Sequence, residues 1–227
     1  MKEVIKNILS KYGPPFLFCK KSYAQEGEDL VVDRLLKGKK NGFYVEVGAH
    51  HPFRFSNTFF FYKRGWSGIC IDPLPGTKSL FRKNRPRDIA IELGVSKVRG
   101  QLEYLMFNEP ALNTFDASLA SARDGVANYR ITKKVLIETM PLSEILKGQK
   151  IPTTGIDLMS VDVEGLDLQV LESNDWEVFR PKVIIAEALS ARIEDIASDP
   201  IYRFLEKHGY SLYAKTGCSI IFKVSEK

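Results

Sequence analysis

Four acidic residues sit at or near the end of a short apolar run: Glu46 in "FYVEV", Asp72 in "GICID", Asp162 in "LMSVD" and Glu187 in "VIIAE". Ligands of open α/β sheets bind outside the carboxyl ends of the strands, so four carboxylates at such ends would converge on one edge. A carboxylate there can take a proton, accept hydrogen bonds from a ribose diol or hold a hard cation. Any one of them could equally cap the next helix or pair with a surface lysine. Four in one pattern are better explained by a site.

The turn after the first run, "VGAHHP", adds a glycine, an alanine and two histidines. Gly48 permits a tight turn and a close backbone approach, and Asp72, 26 residues after Glu46, is placed to accept from a ribose. The turn lacks the second and third glycines that let a pyrophosphate approach a helix N-terminus, which argues against a dinucleotide-binding oxidoreductase. His50 and His51 titrate in the range of a general base, although a hydrogen bond to a helix start would occupy either one as well. A second arrangement uses Asp162 with Glu164 or Glu187 to bind a divalent cation. Carboxylates alone favour a cation such as Mg2+ over zinc. The residues leave the role of Asp162 open between base, metal ligand and substrate anchor.

Alternating strands and helices must position these groups. "GFYVEVGA", "SGICIDPLP", "RDIAIELGVS", "IDLMSVDVEG" and "PKVIIAEAL" read as strands. Between them "SNTFFFYKRG", "TKSLFRKN", "PLSEIL" and "DLQVLES" read as helices, with "DPIYRFLEKHG" after the last strand. Such alternation predicts a parallel sheet with right-handed crossovers. "YSLYAKTGCSIIFKV" predicts a terminal hairpin turning at Lys215-Thr216-Gly217. Ahead of the first strand, "SYAQEGEDLVVDRLL" reads as a helix with a buried stripe of Leu30, Val31, Leu35 and Leu36 and an acid-rich first turn. The stretch from about 100 to 140 interrupts the alternation with one or two extra strands, a loop at Glu109–Thr114 and a short helix before Gly125. Asn113 and Thr114 there are candidates for substrate contact. Trp66 and Trp176 read as packing residues.

Length and composition set bounds. At 227 residues, 44% hydrophobic and 27% charged, the chain suits one α/β domain with a substantial core. Residues 1–21 read as an N-terminal helix (Val4, Ile5, Ile8, Leu9, Tyr12) and a lead-in ended by Gly13-Pro14-Pro15, with the domain over 22–227. The N-terminus interleaves lysines with apolar residues and has no signal-peptide core, so the expected location is cytoplasmic; no run is long enough for a membrane span. Cys19, Cys70 and Cys218 have no CxxC pairing and exclude a disulfide framework. A net charge of +5 without an aromatic and basic recognition motif argues against nucleic acid. The aromatic run "FRFSNTFFFY" and the N-terminal helix offer surface for a homodimer.

Taken in order and at their spacings, "SYAQEGEDLVVDRLL", "GFYVEVGAHHPFRFSNTFFFYKRGWSGICIDPLP", "IELGVS", "NTFD" and "LMSVDVEGLDLQVLES" resemble the FkbM family of S-adenosylmethionine-dependent methyltransferases. The resemblance covers about Ser22 to Phe222. It implies a Rossmann-like class I methyltransferase fold: a seven-stranded, mostly parallel sheet with helices on both faces, whose last strand is antiparallel and arrives through a C-terminal hairpin. Carried over, Glu46, Gly48 and Ala49 would line the amino-acid end of S-adenosyl-L-methionine, Asp72 would take its ribose, and Gly94 and Val95 would border its adenine. Gln25 and Asp29 would close over the cofactor from the side. FkbM-like enzymes methylate hydroxyls of sugars, polyketides and related products. The expected acceptor is a small soluble sugar, such as a nucleotide-linked sugar destined for cell-surface polysaccharide. "VGAHHP" is poorer in glycine than many class I turns, so the two histidines call for a role of their own.

Overall fold

The computed structural model describes residue 3, residues 11–189 and residues 192–225. The N-terminal helix read over Val4, Ile5, Ile8 and Leu9 lies outside the described residues. Seven strands build the main sheet: β1 (Phe43–Val47), β2 (Ser67–Asp72), β3 (Ile89–Glu92), β7 (Leu158–Val161), β8 (Val183–Glu187), β9 (Tyr210–Lys215) and β10 (Ser219–Val224). Their order is β3-β2-β1-β7-β8-β10-β9. The first five run parallel, and β10 is antiparallel to both of its neighbours. This is the mostly parallel sheet with a terminal hairpin expected of a class I methyltransferase.

Side-chain alternation along the strands divides the core into two layers. Val45, Val47, Ile69, Ile71, Met159, Val161, Ile184 and Ala186 face one side with Leu142, Ile145, Val170, Leu171, Ile201 and Leu205. Those partners come from the helices that follow α4 (Ala117–Arg123): α5 (Leu142–Lys147), α6 (Asp167–Glu172) and α7 (Pro200–Lys207). Tyr44, Cys70, Leu158, Val183 and Ile185 face the other side. They pack with Val32 of α1 (Glu28–Leu35), Phe61 and Tyr62 of α2 (Phe59–Tyr62) and Phe81 of α3 (Thr77–Asn84). Trp66 and Trp176 are buried, one in each layer.

Two local expectations are corrected. The strand read through "RDIAIELGVS" ends at Glu92, and Gly94–Val95 leaves the main sheet as β4. It joins a second sheet of order β4-β6-β5, with β5 (Gly100–Phe107) and β6 (Ile131–Met140). Gly94 is required at this departure, because a Cβ there would lie 2.8 Å from both Phe115 and Thr139. In α1 the fully buried residues are Glu28, Asp29, Val32 and Asp33, while Val31, Leu35 and Leu36 of the expected stripe pack half-buried against the core. The acids are drawn inward by donors: Asp29 accepts from Ser22 Oγ at 2.6 Å and Tyr23 N at 2.7 Å, Asp33 pairs with Arg64, and Glu28 accepts from Thr216 Oγ1 at 2.8 Å. Among the described residues no helix is long and apolar enough to cross a membrane.

Candidate active site

Register alone brings the expected groups together. Val47 pairs with Ile71 and Val161, and Val161 with Ala186, so the next residues, Gly48, Asp72, Asp162 and Glu187, form one row across the carboxyl edge of the sheet. Glu46 sits two residues back, paired with Cys70 and Ser160. Parity turns its side chain to the helical face opposite Val47.

Glu46 is held there by a buried cluster. Its carboxylate accepts from Thr58 Oγ1 at 2.6 Å and Ser56 Oγ at 3.3 Å and lies 3.6 Å from Arg85 Nη1. Arg85, fully buried, also donates to Asp88 at 2.6 Å and Tyr44 at 3.0 Å. Burial raises the Glu46 pKa, and the Arg85 charge opposes it. The structure therefore does not bring Glu46 to the cleft, and the positioning roles of Ser56, Thr58 and Arg85 were not evident in the sequence. Ala49 packs in the same layer.

A cleft opens over the row, walled by Gly48, His50, Asp72, Val95, Asn113, Asp162 and Glu164, with Gln25 at its rim. Gly48 has φ +78°, and a Cβ there would fall 1.6 Å from the Asp162 carbonyl oxygen. The glycine thus lets the β1 turn lie against the end of β7. Asp72 pins the same turn: Oδ2 accepts from His50 N at 2.6 Å and Oδ1 from Leu74 N at 2.8 Å. Burial pushes Asp72 up to about 6 despite these bonds.

The two histidines differ. His51 Nδ1 accepts from the backbone N–H groups of Phe53 and Arg54, both at 3.1 Å, so it is a turn cap. His50, with φ +47°, lines the cleft, and its buried Nε2 has no partner among the described residues. Burial, helped by the Arg54 charge, lowers His50 to about 4, which keeps it neutral at pH 7.

Tyr104 of β5 and Phe115, in the connection that follows the Leu105–Thr114 bridge, roof the cleft; sequence reasoning missed both, and their ring centroids lie 4.7 Å apart. Leu74, Leu93 and Phe55 complete an apolar wall. No periodicity marks these positions, because an inserted ribbon meets the cleft only through tertiary packing. Asn113 Oδ1 accepts from Phe107 N at 2.7 Å. That bond fixes the amide orientation and leaves its buried Nδ2 without a partner. Thr114 instead supports the roof, donating from Oγ1 to the Glu164 carbonyl at 2.7 Å. Asp29 stays outside the cleft and shapes the 22–24 segment that leads to Gln25.

Carboxylate oxygens of Asp162, Glu164 and Glu187 lie within 4.8 Å of one another. Arg123 donates to Glu164 at 2.5 Å. The side chains of Asp162 and Glu187 accept no hydrogen bond from the described residues, although Glu187 is 9% exposed. Burial and then the Asp162 charge push Glu187 up to about 10, while burial, Asp167 and Glu164 raise Asp162. Asp167 accepts from Val163 N and Gly165 N and holds the turn that presents Glu164, whose φ is +55°.

A family model described as "Methyltransferase FkbM domain" matches residues 46–212, which run from β1 into β9 and take in the glycine turn and the strand-end acids. The chain belongs to the FkbM methyltransferase family. As an FkbM protein it is an S-adenosylmethionine-dependent methyltransferase. No curated protein matches this FkbM chain. Among solved structures it is similar to an O-methyltransferase from Bacillus cereus in complex with SAH, with 14% identity, a TM-score of 0.46 and coverage of 99% of this chain and 90% of that one. It is also similar to a precorrin-6y C5,15-methyltransferase from Geobacter metallireducens, with 12% identity, a TM-score of 0.45 and coverage of 91% and 92%.

Proposed function

We propose that this FkbM domain is an O-methyltransferase whose acceptor is a hydroxyl of a sugar, in nucleotide-linked form, in cytoplasmic reactions that feed cell-surface polysaccharide. The single observation that carries an O-methyl reading is Asp162, a carboxylate in the cleft wall beside Gly48 that accepts no hydrogen bond from the described residues and has a Glu187 carboxylate oxygen within 4.8 Å. An alcohol must lose its proton as it is methylated; with Glu187, pushed up to about 10, already holding a proton at neutral pH, Asp162 is the carboxylate of the pair left to accept it. Polar groups on this side of the cleft, Gln25, Asp162 and Glu164, suit a polyhydroxylated acceptor better than an apolar polyketide. The sugar itself rests on the resemblance to FkbM-like enzymes.

S-Adenosyl-L-methionine supplies an electrophilic methyl group on a sulfonium. The residues fit it: Asp72 offers its remaining lone pairs to a ribose, Gly48 leaves its backbone open towards the methionine end, and Leu74, Leu93, Val95 and Phe115 offer an apolar bed for a base. The unpartnered Asn113 Nδ2 and His50 Nε2 face polar atoms of whatever fills the cleft. Asp162, Glu164 and Glu187 also fit a divalent cation such as Mg2+, which would orient the acceptor hydroxyl and acidify it.

The test measures cofactor binding by calorimetry, with NAD as control, and methyl transfer to a panel of nucleotide sugars, both with and without Mg2+. Asp162→Asn is expected to keep cofactor affinity within about threefold and to lose roughly 100-fold or more in transfer. Full transfer activity in Asp162→Asn, or no saturable cofactor binding by the wild type, overturns the reading.

A further inference from the structure

The segment before the domain carries a surface that methyl transfer does not use. Tyr12, Phe16 and Phe18 are 74%, 72% and 58% exposed. Residues 11–21 include Lys11, Lys20 and Lys21 and no acid, so this stretch alone holds +3 of the chain's net +5. Lys11 and Lys21 meet no carboxylate among the described residues and lie over the rings of Tyr12 and Tyr23. Pro14 and Pro15 lead into a short 3-10 turn, Pro15–Leu17, which stiffens the presentation of Phe16.

Exposed aromatic rings beside unpaired lysines match the chemistry of an anionic lipid interface: rings settle at the headgroup level while ammonium groups meet lipid phosphates. We propose that residues 11–21 dock the protein peripherally on an anionic membrane surface. A second copy is a poorer occupant, because a twofold interface through this stretch would set its own lysines against one another. Each lysine near such a surface contributes about fivefold to partitioning, and the effect is screened by salt.

The segment is tied to the domain through α1. Lys20 pairs with Asp33 of α1 at 3.3 Å, and Asp29 of the same helix accepts from Tyr23 N at 2.7 Å. Gln25, seven residues beyond Phe18, stands on the cleft rim.

Co-sedimentation of the full chain with phosphatidylcholine vesicles, with and without phosphatidylglycerol and at low and high salt, tests this directly. The wild type is expected to sediment with the anionic vesicles only and to be released by salt. The pairs Phe16→Ser with Phe18→Ser, and Lys11→Glu with Lys21→Glu, are each expected to weaken partitioning at least tenfold. Both pairs should bind S-adenosylmethionine as the wild type does, so the result is independent of the methyltransferase reading. No retention of the wild type on anionic vesicles, or undiminished retention of either pair, overturns the proposal. So does lipid-free self-association that the Phe pair abolishes, which would identify a second copy as the occupant.

Discussion

Two acids that look alike in sequence separate at the level of the single residue. Asp72 stands in the row at the strand ends and lines the cleft, its oxygens accepting from His50 N and Leu74 N, whereas Glu46 stands two residues back against Arg85. Substituting each by its amide distinguishes their roles. Asp72→Asn is expected to weaken S-adenosylmethionine at least tenfold, the loss of a charge-assisted hydrogen bond. Glu46→Gln is expected to leave that affinity within about twofold and to lower unfolding free energy by roughly 1–3 kcal/mol, because Arg85 loses a buried counter-charge. Titration calorimetry and urea denaturation read the two effects, and a cofactor defect in Glu46→Gln would return that acid to the site. Either residue could be found as an acid at the end of an apolar run. Both acids share one strand parity, since Glu46 pairs with Cys70, two residues before Asp72; which one reaches the cleft depends on its depth along the strand and on Arg85, which lies 39 positions from Glu46 in the chain.

The junctions between elements hold the cleft open. The β1 turn lies directly on the end of β7, with Gly48 at φ +78° and the Asp162 carbonyl where a side chain would begin. Gly48→Ala is expected to force these strand ends apart and to destabilise the protein by about 3 kcal/mol or more, since a positive φ and a backbone clash act together. Chemical denaturation would show the loss, and a cost below about 1 kcal/mol would mean that the turn has room the geometry denies. The strands, helices and terminal hairpin were legible because apolar periodicity and Gly or Pro breaks mark them locally. The exit of Gly94–Val95 into a second sheet was not, because Leu93 continues the apolar run and only pairing with Thr139 and Met140 ends it. The same holds for α1, whose buried acids are stabilised by donors from distant segments.

At the scale of the whole molecule, the sheet edge concentrates carboxylates that water would normally keep apart. Asp162, Glu164 and Glu187 share one corner, with Arg123 the cation that donates to it among the described residues. Glu187 has an ordinary value of 4.5 and is pushed up to about 10, so the folded state binds more protons than the unfolded one between those values. Its contribution to stability is therefore complete below about 4.5 and is lost as pH rises through about 10. The slope in that window reaches up to roughly 1.4 kcal/mol per pH unit, a few degrees in melting temperature. Melting curves in chelator are expected to fall from pH 6 to pH 9, to recover with Mg2+, and to flatten in Glu187→Gln. A flat wild-type profile, unresponsive to Mg2+, would remove both the cation and the raised acid.

By itself the sequence determined the alternation of strands and helices, the terminal hairpin, the family and the row of strand-end acids. Each of these is written in local apolar period, in turn residues or in short motifs of fixed spacing. Only the tertiary structure decided that Glu46 belongs to the Arg85 cluster and that His51 caps a turn while His50 faces the cleft. It also decided that Tyr104, Asn113 and Phe115 form the roof. Those outcomes depend on which side chains meet across long separations in the chain, and burial, hydrogen-bond partners and pKa values exist only once they have met.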